Sequence, residues 1–124
     1  MKKIIIALVL GVSSSFAMAA ETTVCNNGTP TNVPGATDGT LFVRVTFSPT
    51  CSTNTVMTQD DDGTKVWATA ASSKGQSVFG GSTNGGSIAN MGACNAGKAC
   101  GTPAATLTTI KTKMAAAGAF GNTN

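Results

Sequence analysis

Leu41-Phe42-Val43-Arg44-Val45-Thr46-Phe47 is the one segment beyond residue 20 with a strict two-residue alternation. Leu41, Val43, Val45 and Phe47 fall on one face of a strand, and Phe42, Arg44 and Thr46 on the other. Prolines at 34 and 49 bracket the segment, and Cys51 lies four residues past its end. This pattern predicts the central strand of a small, mainly β domain, at the border of α+β. The expected fold is an antiparallel meander of about four strands with one C-terminal helix packed on it, stapled by two disulfides.

The start of the chain sets the compartment. Met1-Lys2-Lys3 is a short positive start, and Ile4 to Val12 is an apolar run of nine residues, too short to span a bilayer. Ser13 to Ser15 break the run, and Ala17-Met18-Ala19 supplies small residues ahead of a cut. Residues 1–20 therefore read as a secretory signal peptide cleaved after Ala19 or Ala20. Cys25 follows Glu21-Thr22-Thr23-Val24, which is not the context of a lipid-modified cysteine. The expected location is periplasmic or extracellular, with no integral membrane segment after cleavage.

Loss of Lys2 and Lys3 leaves six basic residues against five acidic ones, a net charge near +1. Nucleic acid is not an expected partner, because its binding needs several clustered cations and Lys111 and Lys113 are the closest pair. The remaining chain of about 104 residues is enough for one domain, but its large apolar residues are sparse. A thin core in an exported chain needs covalent help.

Cys25, Cys51, Cys94 and Cys100 supply it. An even set in an exported chain implies two disulfides, with three possible pairings. The favoured one closes the short Cys94–Cys100 loop and clamps the N-terminal segment across the expected central strand through Cys25–Cys51. Each bridge is worth about 2–4 kcal/mol, chiefly by restricting the unfolded chain. A metal site needs clustered soft ligands, and the chain has neither a Cys-x-x-Cys pair nor any His. No metal and no cofactor is expected.

Residues 21–40, rich in Thr, Asn, Gly and Pro, read as an extended N-terminal arm, because Pro30 and Pro34 oppose both helix and central strand. Residues 41–124 form the expected single domain. Asn27-Gly28-Thr29 matches a glycosylation pattern too common to weigh. Within the domain, Asp60-Asp61-Asp62-Gly63 separates two strand-like runs, Thr53 to Gln59 and Thr64 to Ala70, and predicts a hairpin. The three carboxylates lack the alternating spacing and closing Glu of a calcium loop. Ser72-Ser73-Lys74-Gly75 is a second turn, Gln76 to Phe79 a short strand, and Gly80 to Ser87 a low-complexity loop. Trp67, the one tryptophan, is expected to cover an end of the core.

Gly92 to Ala99 approaches a phosphate-binding loop, but Ala99 stands where Ser or Thr would hold magnesium. Thr102-Pro103 opens a helix over 103–117, Thr102 as N-cap and Gly118 as stop. Leu107, Ile110 and Met114 recur at helical spacing and should pack on the sheet, and Phe120 should anchor the tail.

Catalysis lacks its usual parts. His is absent, and the remaining carboxylates, Glu21, Asp38 and the turn cluster, read as solvated groups of ordinary acidity. No catalytic residue and no enzymatic activity is expected. Abundant Thr, Asn, Gly and Ala, little charge, export and disulfides fit a structural or adhesive subunit of a cell surface, filament or matrix, with a protein partner or further copies of itself. An exposed edge strand would let a neighbour add a strand. The alternative is a small secreted effector, a toxin, bacteriocin-like peptide or inhibitor acting on a protein or membrane target.

Overall fold

Asp62-Gly63-Thr64-Lys65 makes the turn on which the sheet is built. Asp62 Oδ1 accepts hydrogen bonds from the Thr64 N–H, the Thr64 hydroxyl and the Lys65 N–H at 2.7–2.9 Å. Gly63 takes the positive φ, +83°, that the reversal requires. The turn joins β3 (Thr55–Asp61) to β4 (Val66–Ser72), paired in register along their whole length. The expected Asp-Gly hairpin is present, with its strands slightly later in sequence than the composition suggested.

The structure is a computed structural model describing residues 21–85 and 87–116. The leader at 1–20, residue 117, the Gly118 stop and the Phe120 anchor lie outside the described residues. Besides β3 and β4 there are β1 (Thr22–Asn26), β2 (Thr29–Pro30), β5 (Ser77–Ser82), β6 (Ala89–Ala93) and the helix α1 (Pro103–Ala116). All six strands form one antiparallel sheet in the order β2-β1-β3-β4-β5-β6. The fold is mainly antiparallel β with one C-terminal helix, as the sequence implied, but with six strands rather than four.

Two expectations are corrected. Residues 41–47 are not the central strand, nor a strand at all beyond one bridge between Val33 and Phe47. Two consecutive backbone donors, the Phe42 and Val43 N–H groups, point to the Asp61 carboxylate at 2.8 and 3.0 Å instead of to a neighbouring strand. The stretch runs back along Val33–Ala36 in an irregular loop. Val45 presses so closely on Gly35 that a Cβ there would clash with the Val45 backbone. Val45 and Phe47, expected in the core, are exposed.

Residues 21–40 are not simply an arm. β1 lies inside the sheet, between β2 and β3. Asn27 and Gly28, at φ +53° and +86°, turn β1 into β2, the reversal that an Asn-Gly pair favours. Pro30, which argued against a central strand, sits in the two-residue edge strand, where its missing N–H costs nothing.

α1 lies across β3 and β4 on one face of the sheet. The Thr102 hydroxyl accepts from the Ala105 N–H at 3.3 Å, the expected N-cap. Ile110 packs with Val56, Ala71, Val78 and Cys100 in the main core, and Leu107 is half-buried against it. Met114 continues that line over Thr58 and Thr69, cross-strand partners whose hydroxyls are 3.0 Å apart and fully buried. A second core lies on the opposite face: Val24, Cys25 and Val33, with Val43, Cys51 and Met57. It fills the space between β1–β3 and the loop of residues 33–51.

Candidate functional site

The four cysteines form the two favoured disulfides. Cys25–Cys51 spans Cα atoms 5.8 Å apart and fastens the end of the 33–51 loop to β1. Cys94–Cys100 spans 4.9 Å and closes the loop between β6 and α1. That loop is docked on the β4–β5 turn by Cys94 N–H to Gln76 O at 2.8 Å, Cys100 N–H to Gly75 O at 2.7 Å and Gly101 N–H to Ser73 O at 3.0 Å. Two disulfides are consistent with an oxidising periplasmic or extracellular compartment.

The acidic cluster is not the solvated group that its sequence implied. Asp60 and Asp61 are each 2% exposed. Strand alternation turns them to opposite faces, while Asp62 caps the turn, so the three carboxylates do not converge. Asp61 gathers the Phe42, Val43 and Gly63 N–H groups on its two oxygens, which pins the 33–51 loop to the sheet. Burial, reinforced by Asp62, Glu21 and Asp61, pushes Asp60 up to about 6. Burial acts in the same sense on Asp62, but hydrogen bonds from Thr64 and Lys65 outweigh it and hold that carboxyl below its ordinary value. Trp67 lies on the helix side of β4, half-buried, its Nε1 enclosed without a partner among the described residues.

The residues that make a surface feature are ones that the sequence did not single out. On the face away from α1, the 33–51 loop covers β1 and β3 only. Beyond it lies an open groove of about 480 Å³. Val66, Ala68 and Ala70 of β4 and Gly81 of β5 make its floor; Phe79 and Ile88 stand at its side. No lining residue is charged. Phe79 is 48% and Ile88 81% exposed. On the far side, the loop's Phe42 is tied to Asp61, the cross-strand partner of Val66, and is itself 43% exposed. The signal was present in β4: Val66, Ala68 and Ala70 are apolar on the face opposite Trp67 and Ala71, so the strand needs cover on both sides and one helix supplies only one.

The sheet edges are occupied. β2 is two residues long and contains Pro30. In β6 the Gly92 N–H is taken by the Asn90 side chain at 2.8 Å, and the Met91 carbonyl by the Lys113 ammonium at 3.1 Å. Gly92 sits at φ +94° beside a break in the β5–β6 register. These devices discourage a further strand. Among the described residues no helix is long and apolar enough to cross a membrane, and no three His, Cys, Asp or Glu side chains cluster as metal ligands do. Compared with family models, with curated proteins and with solved structures, the chain matches none.

Proposed function

We propose that the protein is an exported, non-catalytic subunit of a cell-surface or extracellular assembly, structural or adhesive in role, whose contact surface is the open half of the sheet. The observation that carries this reading is the uncharged groove with Phe79 and Ile88 exposed beside it. Contiguous apolar surface of this kind is a mark of a binding face, and the absence of charge removes the desolvation cost of burying it.

The occupant is a second copy of the chain. The patch carries both a projection, Phe79 with Ile88, and a depression floored by Ala68, Ala70 and Gly81. A surface with both features is complementary to itself under a two-fold axis. The guarded edges leave face-to-face packing as the open route. The three strands β4–β6, five to seven residues each, offer a footprint of about 14 by 20 Å at ordinary strand spacing. That is well below the roughly 800 Å² per partner of a standard interface, so each contact is weak and an assembly gains strength from many.

The test is sedimentation and light scattering of the oxidised protein up to about millimolar concentration, with electron microscopy of the products. Concentration-dependent association that Phe79→Ser and Ile88→Ser remove supports the reading. A strict monomer sinks it. A strict monomer that inhibits or kills a target cell favours the diffusible effector instead.

A further inference from the structure

Asp60 of β3 and Trp67 of β4 are directly opposed in the β3–β4 register, on the face that carries α1. Directly opposed side chains have Cβ atoms about 4.5–5.5 Å apart. Asp60 is 2% exposed. Among the described residues its Oδ1 has no hydrogen-bond partner, and neither has the enclosed Nε1 of Trp67. One cross-strand pair thus holds an unused acceptor and an unused donor, each costly to leave buried and unpaired.

The charges around Asp60 sharpen the problem. Glu21, just before β1, Asp61, the next residue of β3, and Asp62 in the hairpin turn all oppose a negative charge there; Lys65 in the same turn favours it. The cations of α1 are engaged elsewhere. Lys111 pairs with Glu21 at 2.8 Å, and Lys113 donates to the Met91 carbonyl. A neutral carboxyl tolerates this setting and an ionised one does not. The packing therefore favours the protonated acid, and its proton leaves near pH 6 instead of near 4.

We propose that Asp60 and Trp67 form a proton-controlled catch at the hairpin end of the sheet, closed while Asp60 keeps its proton and sprung when the proton leaves. The closed form binds the proton more tightly than the open one, so mild acid tightens the β3–β4 end beneath α1. As pH rises from 3.8, the ordinary value, to about 6, the closed form loses ground; above that the loss is complete and constant. When the catch springs, the ionised oxygen reaches water and the indole is released from its enclosure.

Trp67 is the only tryptophan, so its emission reports this site alone. The experiment follows Trp67 emission and amide-exchange protection of β3 and β4 in the disulfide-bonded protein from about pH 4.5 to about pH 8, a range that spans the raised carboxyl. The expected result is one emission change whose midpoint lies between 3.8 and about 6. Protection around residues 60 and 67 should fall about tenfold or more as pH rises to about 6 and stay level above it. Asp60→Asn, which mimics the neutral acid, should hold the acid-side emission at every pH. Glu21→Gln should move the midpoint down, and Lys65→Gln should move it up. Emission and protection flat across the range overturn the proposal, as does a midpoint that persists in Asp60→Asn. Should that variant fail to fold, the two neighbours decide: midpoints unmoved, or moved in the same direction, overturn it equally.

Discussion

One face of a single sheet is treated in two ways. Over β1 and β3 it is sealed by residues 33–51; over β4 and β5 it stands open. The covering loop is not especially apolar. It leaves Phe42, Val45 and Phe47 largely exposed and commits only Val33, Val43 and Cys51 to the core beneath it. What holds it is a covalent bond at one end, the Asp61 carboxylate in the middle, and the paired backbone of Val33 and Phe47. The open half is also lined by apolar residues, Val66, Ala68, Ala70, Phe79 and Ile88, but among the described residues it has neither cross-link nor anchoring carboxylate over it. Among the described residues cover follows the tethers, not the grease, and what stays uncovered is the proposed contact surface.

The largest expected effect tests the tether. Replacing Cys25 and Cys51 together by Ser releases a cross-link of 26 residues' separation, worth about 3.5 kcal/mol in the chain-entropy treatment. Replacing Cys94 and Cys100 releases one of 6, worth about 2 kcal/mol. Urea titration of the two double variants should show the first as clearly the weaker protein, with newly exposed surface on the β1–β3 side. Equal losses would mean that the 33–51 loop stays down without its bond, and the contrast between the two halves would then lie in packing.

Asp61→Ala probes the second tether. It leaves the Phe42, Val43 and Gly63 N–H groups without their acceptor. The expected cost is about 2–3 kcal/mol, since these are hydrogen bonds to a carboxylate and all three are partly buried. Amide exchange should show residues 42 and 43 losing protection first while β4 and β5 are unaffected. A loss spread evenly over the sheet would make Asp61 a general support and not the fastening of the cover.

Those tethers also explain what the sequence did and did not disclose. The hairpin at Asp62-Gly63, the Thr102 N-cap and the Ile110–Met114 stripe are local patterns, and each is found where its chemistry requires. The disulfide pairing followed from short loops and their clamping role. The alternation of 41–47 misled because strand formation needs a neighbour with free backbone groups, and the donors here are claimed by an aspartate some 19 positions away. That contact is invisible in composition. β1 is legible in Asn27-Gly28 behind Thr22-Thr23-Val24, but Pro30 and Pro34, which exclude only helix and central strand, mark the segment just as well as an extended arm. Asp60 and Asp61 read as a solvated turn because a run of acids is normally exposed; pairing against Trp67 and Val66 buries them on opposite faces instead.

On the open half the expected effects shift from stability to association. Phe79 and Ile88 are exposed in the single molecule, so Phe79→Ser or Ile88→Ser should change its unfolding free energy by less than about 1 kcal/mol. Each should nonetheless abolish self-association in the light-scattering experiment. A large loss of stability with no change in association would place these side chains in the fold's own upkeep and close the comparison against the proposed contact.

The smallest change sharpens the comparison most. Gly81 lies in the groove floor, and a Cβ added there would sit 3.0 Å from the Ser87 carbonyl oxygen and 3.3 Å from the Ile88 Cα. Its φ does not fall in the left-handed region, so Gly81→Ala strains no backbone and only pushes the Ser87–Ile88 rim outward by a few tenths of an ångström while raising the floor by one methyl. For the isolated molecule the effect should be under about 1 kcal/mol, with the gain in chain stiffness partly offsetting the crowding. For a second copy seating Phe79 on that floor, the same methyl removes part of the depression, and overpacking of a close contact is felt even at this size. Gly81→Ala should therefore weaken association measurably at unchanged melting temperature, whereas Gly85→Ala, whose added Cβ meets nothing nearer than the Ser82 hydroxyl at 3.9 Å, should alter neither. If both substitutions leave association untouched, the floor is not the seat of the contact, and the projecting Phe79 and Ile88 must meet their partner without it.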